Sequence, residues 1–191
     1  GLGRPGWHIE CSLISLRLLP APFTVQGGGS DLVFPHHEMG AGHSWALSAR
    51  PMARHFVHTG MVGLDGRKMS KSLGNLELVS RLRERGVEPA AIRLGILDQH
   101  YRDDWSWSQD VLVRAEARLA RWRMAAETAA EGSFEDALEA VRTALAADLD
   151  TPRAIEAIDV WAEGVLVGGE QKGSGDPLAA RAIEARLGIV L

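Results

Sequence analysis

Apolar residues change their spacing once along this chain, near Trp107. Before it, short apolar runs alternate with helical stripes. Leu13, Leu16 and Leu19 are spaced as on one helix face and predict a short helix over 11–19. Phe23 to Gln26 predicts a buried strand ending in Gly27-Gly28-Gly29. A helix follows His36 and runs to about Ser48, and His55 to His58 predicts a second strand. Gly63-Leu64-Asp65-Gly66 turns into a polar loop at 67–75. Helices are expected near 76–85 and 89–99, the second opened by Pro89. Strands alternating with helices predict an α/β layer with parallel strands.

After Trp107 only the helical period remains. Leu112, Ala115, Leu119 and Trp122 form one stripe, and Phe134, Leu138, Val141 and Leu145 another. Ser133 with Asp136 reads as a capping-box start of the second helix. Thr151-Pro152 reads as the cap and first position of a third, which turns Ile155, Ile158, Ala162 and Val165 inward. A polar loop at 168–175 and a last helix at 177–187 complete the pattern. The expected organisation is an α/β domain over 1–104 and a helical bundle over 105–191. Trp105, Trp107, Trp122 and Trp161 are expected to pack the bundle against the α/β layer. Arg114, Arg118, Arg121 and Arg123 are expected to form a solvated face balanced by acidic neighbours.

Charge follows the same division. The net charge of −4 is the sum of 12 Lys+Arg against 10 Asp+Glu in 1–104 and 9 against 15 in 105–191. An acidic second half is a poor surface for a polyanion, whose phosphates need clustered Lys and Arg. No run of about 18 apolar residues occurs, so no membrane span is expected. The first ten residues lack the apolar segment of a signal peptide. One cysteine, Cys11, excludes an internal disulfide and suits a reducing cytoplasm. Residues 1–6 are loop chemistry running straight into Trp7-His8-Ile9-Glu10-Cys11, and the chain is expected to begin inside a domain.

The sharpest chemical signal is Lys68-Met69-Ser70-Lys71-Ser72. Two ammonium groups and two hydroxyls can clamp a triphosphate and neutralise the charge that develops as pyrophosphate leaves. Gly27-Gly28-Gly29-Ser30-Asp31 follows a predicted strand. Glycines there permit positive φ and close backbone approach, so a nucleotide can lie on the main chain while Asp31 accepts from ribose hydroxyls. Cys11 and His36 are candidate metal ligands, although one Cys and one His do not fill a tetrahedral Zn²⁺ site. Both also fit plain structural roles. His55 and His58 flank a strand and are expected to be structural.

Trp7 to Cys11, Gly27 to Asp31, Phe34-Pro35-His36-His37-Glu38 and Lys68 to Ser72, in that order, resemble the cysteinyl-tRNA synthetase family. They resemble in particular its amide-forming branch, the mycothiol-pathway cysteine ligases. The resemblance implies the second half of a class I synthetase Rossmann-like (HUP) domain, followed by an α-helical bundle. The family's His-x-Gly-His motif and a further zinc-binding cysteine do not occur in residues 1–191. The missing N-terminal half of the same domain is therefore an expected partner, and the fragment alone is expected to have little activity. Carried over by motif, Cys11 and His36 resemble zinc ligands, one Zn²⁺ per chain in a site this fragment leaves incomplete. Trp7 resembles a wall of the cysteinyl-adenylate pocket. Gly29, Ser30 and Asp31 match the adenylate-contacting turn, and Val62 the residue packed on it. Lys68, Ser70, Lys71 and Ser72 match the clamp, with Lys71 also binding the nucleotide. The substrates implied are L-cysteine, ATP with Mg²⁺, and glucosaminyl-inositol.

Three features favour an amino-sugar acceptor over tRNA. The family's synthetases carry a zinc-ligand Glu where this chain has Gly40. They continue into an anticodon-binding region, whereas this sequence stops at Leu191. The second half is acidic. Two alternatives stay open: a catalytic fragment of a cysteinyl-tRNA synthetase, and a non-catalytic zinc- or adenylate-binding module.

Overall fold

The computed structural model describes Gly3, residues 6–168 and residues 173–191. The predicted loops at 1–6 and 168–175 fall partly outside the described residues. By packing, the chain forms two units: Gly1–Met61 with Arg102–Asp104, and Val62–Tyr101 with Trp105–Leu191.

The first unit contains helix α1 (Trp7–Leu18), strand β1 (Phe23–Gly29), helix α2 (Glu38–Ser48) and strand β2 (Ala53–Thr59). The two strands are parallel, with Gly28 opposite His58 and Gly27 opposite Val57. A 3₁₀ turn at Ser30–Leu32 and a wide turn at Val33–His37, broken by extended Phe34, carry the chain from β1 into α2. Helix α1 starts four residues earlier than the leucine spacing predicts, because Trp7 to Glu10 add helical backbone without an apolar stripe. Serine hydroxyls tie it internally, Ser12 to the His8 carbonyl and Ser15 to the Cys11 carbonyl. The expectation of a buried first strand is corrected. Val25 is half exposed, as is Phe56 on β2. Parallel strands are ordinarily covered on both faces, and this sheet has only two strands among the described residues.

Beyond β2, Gly60 lies against the backbone of the inserted residues. A Cβ there would sit 2.0 Å from the Asp103 carbonyl oxygen. One residue on, the Met61 N–H donates to Asp104 Oδ1 at 2.6 Å. These contacts explain why Arg102–Asp104 packs with the first unit.

The second unit opens with a small sheet in the order β4-β3-β5, where β3 is Val62–Leu64, β4 Arg67–Lys68 and β5 Trp105–Trp107. β3 pairs antiparallel with β4 and parallel with β5. Asp65 and Gly66, both at positive φ, make the tight turn between β3 and β4. Strands of two or three residues are too short to show an alternating pattern, which is why the sequence reads as a loop at 67–75. Helices α3 (Val79–Glu84), α4 (Pro89–Leu97), α5 (Gln109–Thr128), α6 (Glu135–Ala146), α7 (Thr151–Gly168) and α8 (Pro177–Leu187) follow. Their apolar faces meet in one core that includes Leu94, Trp122, Phe134, Val141, Ile155, Ile158 and Ile183. Trp107 and Trp161 are buried in the same core and Trp105 packs on it.

Polar groups inside the bundle correct three expectations. Arg118 is not on a solvated face: its Nε donates to Asp159 at 2.8 Å and its Nη1 to Asp98 at 2.7 Å. Ser133 caps nothing. Its hydroxyl donates to Asp176 and accepts from Trp161 Nε1. Buried Asp176 instead accepts from the Phe134 and Leu178 N–H groups, so one carboxylate serves the starts of α6 and α8. For α7, Asp150 rather than Thr151 accepts the orphan Arg153 N–H, at 3.0 Å.

Candidate active site

The residues singled out from sequence fall in both units. Trp7, Cys11, Gly29, Ser30, Asp31 and His36 belong to the first, and Val62, Lys68, Ser70, Lys71 and Ser72 to the second.

In the first unit, helical spacing puts Trp7 and Cys11 one turn apart on α1. The wide turn before α2 brings His36 under the indole, with ring centroids 4.1 Å apart and planes inclined by 29°. Cys11 is half-buried with a free thiol. His36 Nδ1 is buried and, among the described residues, is the one buried side-chain nitrogen or oxygen without a hydrogen-bond partner. An orphaned imidazole nitrogen is costly unless a ligand completes it. A thiol and an imidazole are donors that suit Zn²⁺. Among the described residues, no three His, Cys, Asp or Glu side chains come together in a group that could hold a metal ion. Each of the two side chains, taken singly, is therefore a donor of the kind a zinc site uses.

Next to it lies a chain of polar groups that the sequence did not mark. Gln26 Nε2 donates to His37 Nε2 at 3.0 Å, so the His37 proton sits on Nδ1 and is donated to His58 Nε2 at 2.7 Å. Burial, and then the neighbouring His58 and His36, lower the His37 pKa, which agrees with a neutral ring. His58, expected only to serve its strand, thus helps to fix His37. The signal was present in the doubled histidine after Pro35, but the partners lie 11 and 21 residues away and only the fold joins them.

That fixed ring shapes the glycine turn. A Cβ at Gly28 would lie 2.8 Å from His37 Cε1, and one at Gly29 would lie 2.7 Å from Asp31 Oδ1. Gly29 itself is extended, at φ −74°. The expectation of positive φ in this run is corrected: at Gly28 it is close approach to the His37 ring, not left-handed backbone, that favours glycine. The exposed Ser30 and Asp31 side chains stand beyond the strand end. Gly40 is buried, and a Cβ there would meet Met52 Sδ at 3.3 Å and Ser12 Oγ at 3.4 Å.

In the second unit, Val62 begins β3 and Lys68 ends β4, and the loop carrying Ser70, Lys71 and Ser72 follows directly. Both lysines are exposed, and no carboxylate pairs with either among the described residues. Ser70 and Ser72 hydroxyls lie 3.2 Å apart. Two unpaired ammonium groups and two hydroxyls on one short loop form a surface suited to a polyphosphate.

Comparison with known proteins agrees with this architecture. The family described as tRNA synthetases class I (C) catalytic domain matches residues 1–117. A protein of Renibacterium salmoninarum named L-cysteine:1D-myo-inositol 2-amino-2-deoxy-alpha-D-glucopyranoside ligase is 59% identical over 191 residues, covering 100% of this chain and 45% of the relative. A protein of the same name from Mycobacterium sp. is 52% identical over 192 residues, covering 100% and 46%. The chain thus spans about half the length of these curated relatives. Among solved structures, a leucyl-tRNA synthetase of Agrobacterium radiobacter superposes with a TM-score of 0.64 at 19% identity, over 88% of this chain and 26% of that one. Mycobacterium tuberculosis methionyl-tRNA synthetase gives 0.56 at 20% identity, over 74% and 32%. These likenesses show the fold, a class I synthetase α/β arrangement continued by helices. By the match over residues 1–117, the chain belongs to the family of class I (C) tRNA synthetase catalytic domains.

Proposed function

We propose that the protein activates L-cysteine with ATP as cysteinyl-adenylate and transfers it to the amine of glucosaminyl-inositol, releasing AMP. The observation that carries this reading is the 59% identity, along the whole chain, to a ligase named for that amino-sugar acceptor. The packing at Gly40 supports it. At that position the synthetase branch carries a zinc-ligand glutamate, whose Cβ would crowd Met52 Sδ at 3.3 Å and Ser12 Oγ at 3.4 Å. The −6 balance after residue 104 is also unsuited to tRNA.

In the first step a cysteine carboxylate oxygen attacks the α-phosphorus of ATP, and the α–β bridging P–O bond breaks to release pyrophosphate. Lys68, Ser70, Lys71 and Ser72 stabilise the charge that moves onto the leaving group. The backbone at Gly29, with Ser30 and Asp31, holds the adenylate, while Trp7 limits its pocket. In the second step the sugar amine attacks the activated carbonyl carbon, the C–O bond to AMP breaks, and the amine proton is lost as the amide forms. Holding both reactants side by side supplies much of the rate. Cys11 and His36 would hold Zn²⁺, which when bound offers an open position to a thiolate and so favours cysteine over serine.

The test supplies the intact enzyme with ATP, labelled cysteine and both acceptors. Amide product without charged tRNA is expected. Charged tRNA without amide would assign the synthetase reaction, and neither product would leave a binding module.

The metal reading has its own test. Cys11→Ser in the intact protein is expected to lose most of its zinc by elemental analysis, and His36→Ala likewise. Affinity in the unmutated protein should fall at acid pH, because thiol and imidazole must both be deprotonated to bind. Full zinc retention in both variants would remove these residues from the site.

A further inference from the structure

The Lys68–Ser72 loop is exposed, yet one side chain outside the motif holds its backbone at two points. Asn75 Oδ1 accepts from the Ser70 N–H at 2.9 Å, and Asn75 Nδ2 donates to the Lys68 carbonyl at 3.0 Å. A backbone carbonyl can only accept and a backbone N–H can only donate. One orientation of a carboxamide therefore satisfies both, and no other side chain of this length carries a donor and an acceptor on one carbon. The bracketed segment then folds back on itself. The Leu73 N–H donates to Ser70 Oγ at 3.2 Å, and the Gly74 N–H to the Lys71 carbonyl at 3.2 Å. Gly74, at φ +65°, supplies the left-handed residue that returns the chain to Asn75.

We infer that Asn75 is a positioning residue for the phosphate clamp: by bridging Lys68 and Ser70 it sets the backbone from which Lys71 reaches the nucleotide. This rests on reading Lys68 to Ser72 as that clamp. Both ends of the Asn75 carboxamide are committed to the loop backbone. It acts by restricting the loop before ATP arrives, so that less ordering remains to be done as pyrophosphate leaves.

The test uses the intact enzyme with Asn75→Ala and Asn75→Asp. Aspartate keeps the acceptor for Ser70 but faces the Lys68 carbonyl with a second acceptor, so it is expected to behave like alanine. Both variants should melt within a few degrees of the unmutated enzyme, because the loop lies at the surface. Single-turnover pyrophosphate release should slow about tenfold, the loss of two modest hydrogen bonds, with the KM for cysteine unchanged. In a Lys71→Ala background the same Asn75 substitutions should cost less than in the unmutated enzyme, since part of their effect is routed through Lys71. Additive losses in that cycle would overturn the inference. A second readout needs no catalysis: trypsin should cut after Lys68 and Lys71 about tenfold faster in the ligand-free Asn75→Ala protein. Unchanged cleavage would overturn the inference even in an active enzyme. Faster cleavage in a protein that forms no adenylate would leave the Asn75 brace standing and remove the clamp reading instead.

Discussion

Lys71→Ala is expected to slow adenylate formation by roughly 10²-fold or more while leaving cysteine affinity nearly unchanged. The reason lies in when the charge is needed. In the ground state an exposed ammonium competes with water for the triphosphate and contributes little. As the α–β bond breaks, negative charge accumulates on the departing pyrophosphate, and a positioned cation is worth more there than before the reaction. Lys71 meets the structural requirement, being on a short loop with no carboxylate to neutralise it among the described residues. Lys71→Arg should recover only part of the rate, since a planar guanidinium is not a compact point charge. Rapid-quench measurement of pyrophosphate in the intact enzyme provides the check. An unaltered rate combined with weaker cysteine binding would reduce the loop to a docking surface.

Trp122→Ala should remove about 3–5 kcal/mol from the stability of the helical part. The indole is 0% exposed, central to the core shared by α4 to α8, and its Nε1 donates to Asp159 Oδ1 at 2.8 Å. Alanine leaves a cavity and withdraws one donor from a carboxylate that also holds Arg118. Trp122→Phe separates the two effects, because most of the volume stays and only the hydrogen bond goes. It should cost on the order of 1–2 kcal/mol. Urea unfolding followed by far-ultraviolet dichroism measures both. Equal midpoints for the two variants would mean that the polar contact, not the packing, governs this part of the core.

The helical half was legible because its signal is local. The stripes at Leu112 to Trp122 and at Ile155 to Val165 name buried faces that the structure also buries. Helix starts were less legible, since Phe134 takes its cap from Asp176, 42 residues later, and no local motif encodes such a partner. Strands β3 to β5 escaped for lack of length. At the site, the glycine run and the lysine loop stood out by residue type alone, and the structure puts them at the end of β1 and directly after β4. The link from Gln26 through His37 to His58 could not. Each of those side chains is ordinary in isolation, and its role comes from a parallel strand pairing that sets Gly28 opposite His58.

The insertion of Arg102–Asp104 into the first unit bears on how such a protein can be rebuilt by recombination. The chain passes between the two units at 61–62, 101–102 and 104–105. A crossover after Met61 would exchange the stretch that ends in Gly60 but leave behind the backbone that Gly60 packs against. Neither unit can be traded through a single junction, so a working hybrid would need matching ancestry at positions more than forty residues apart.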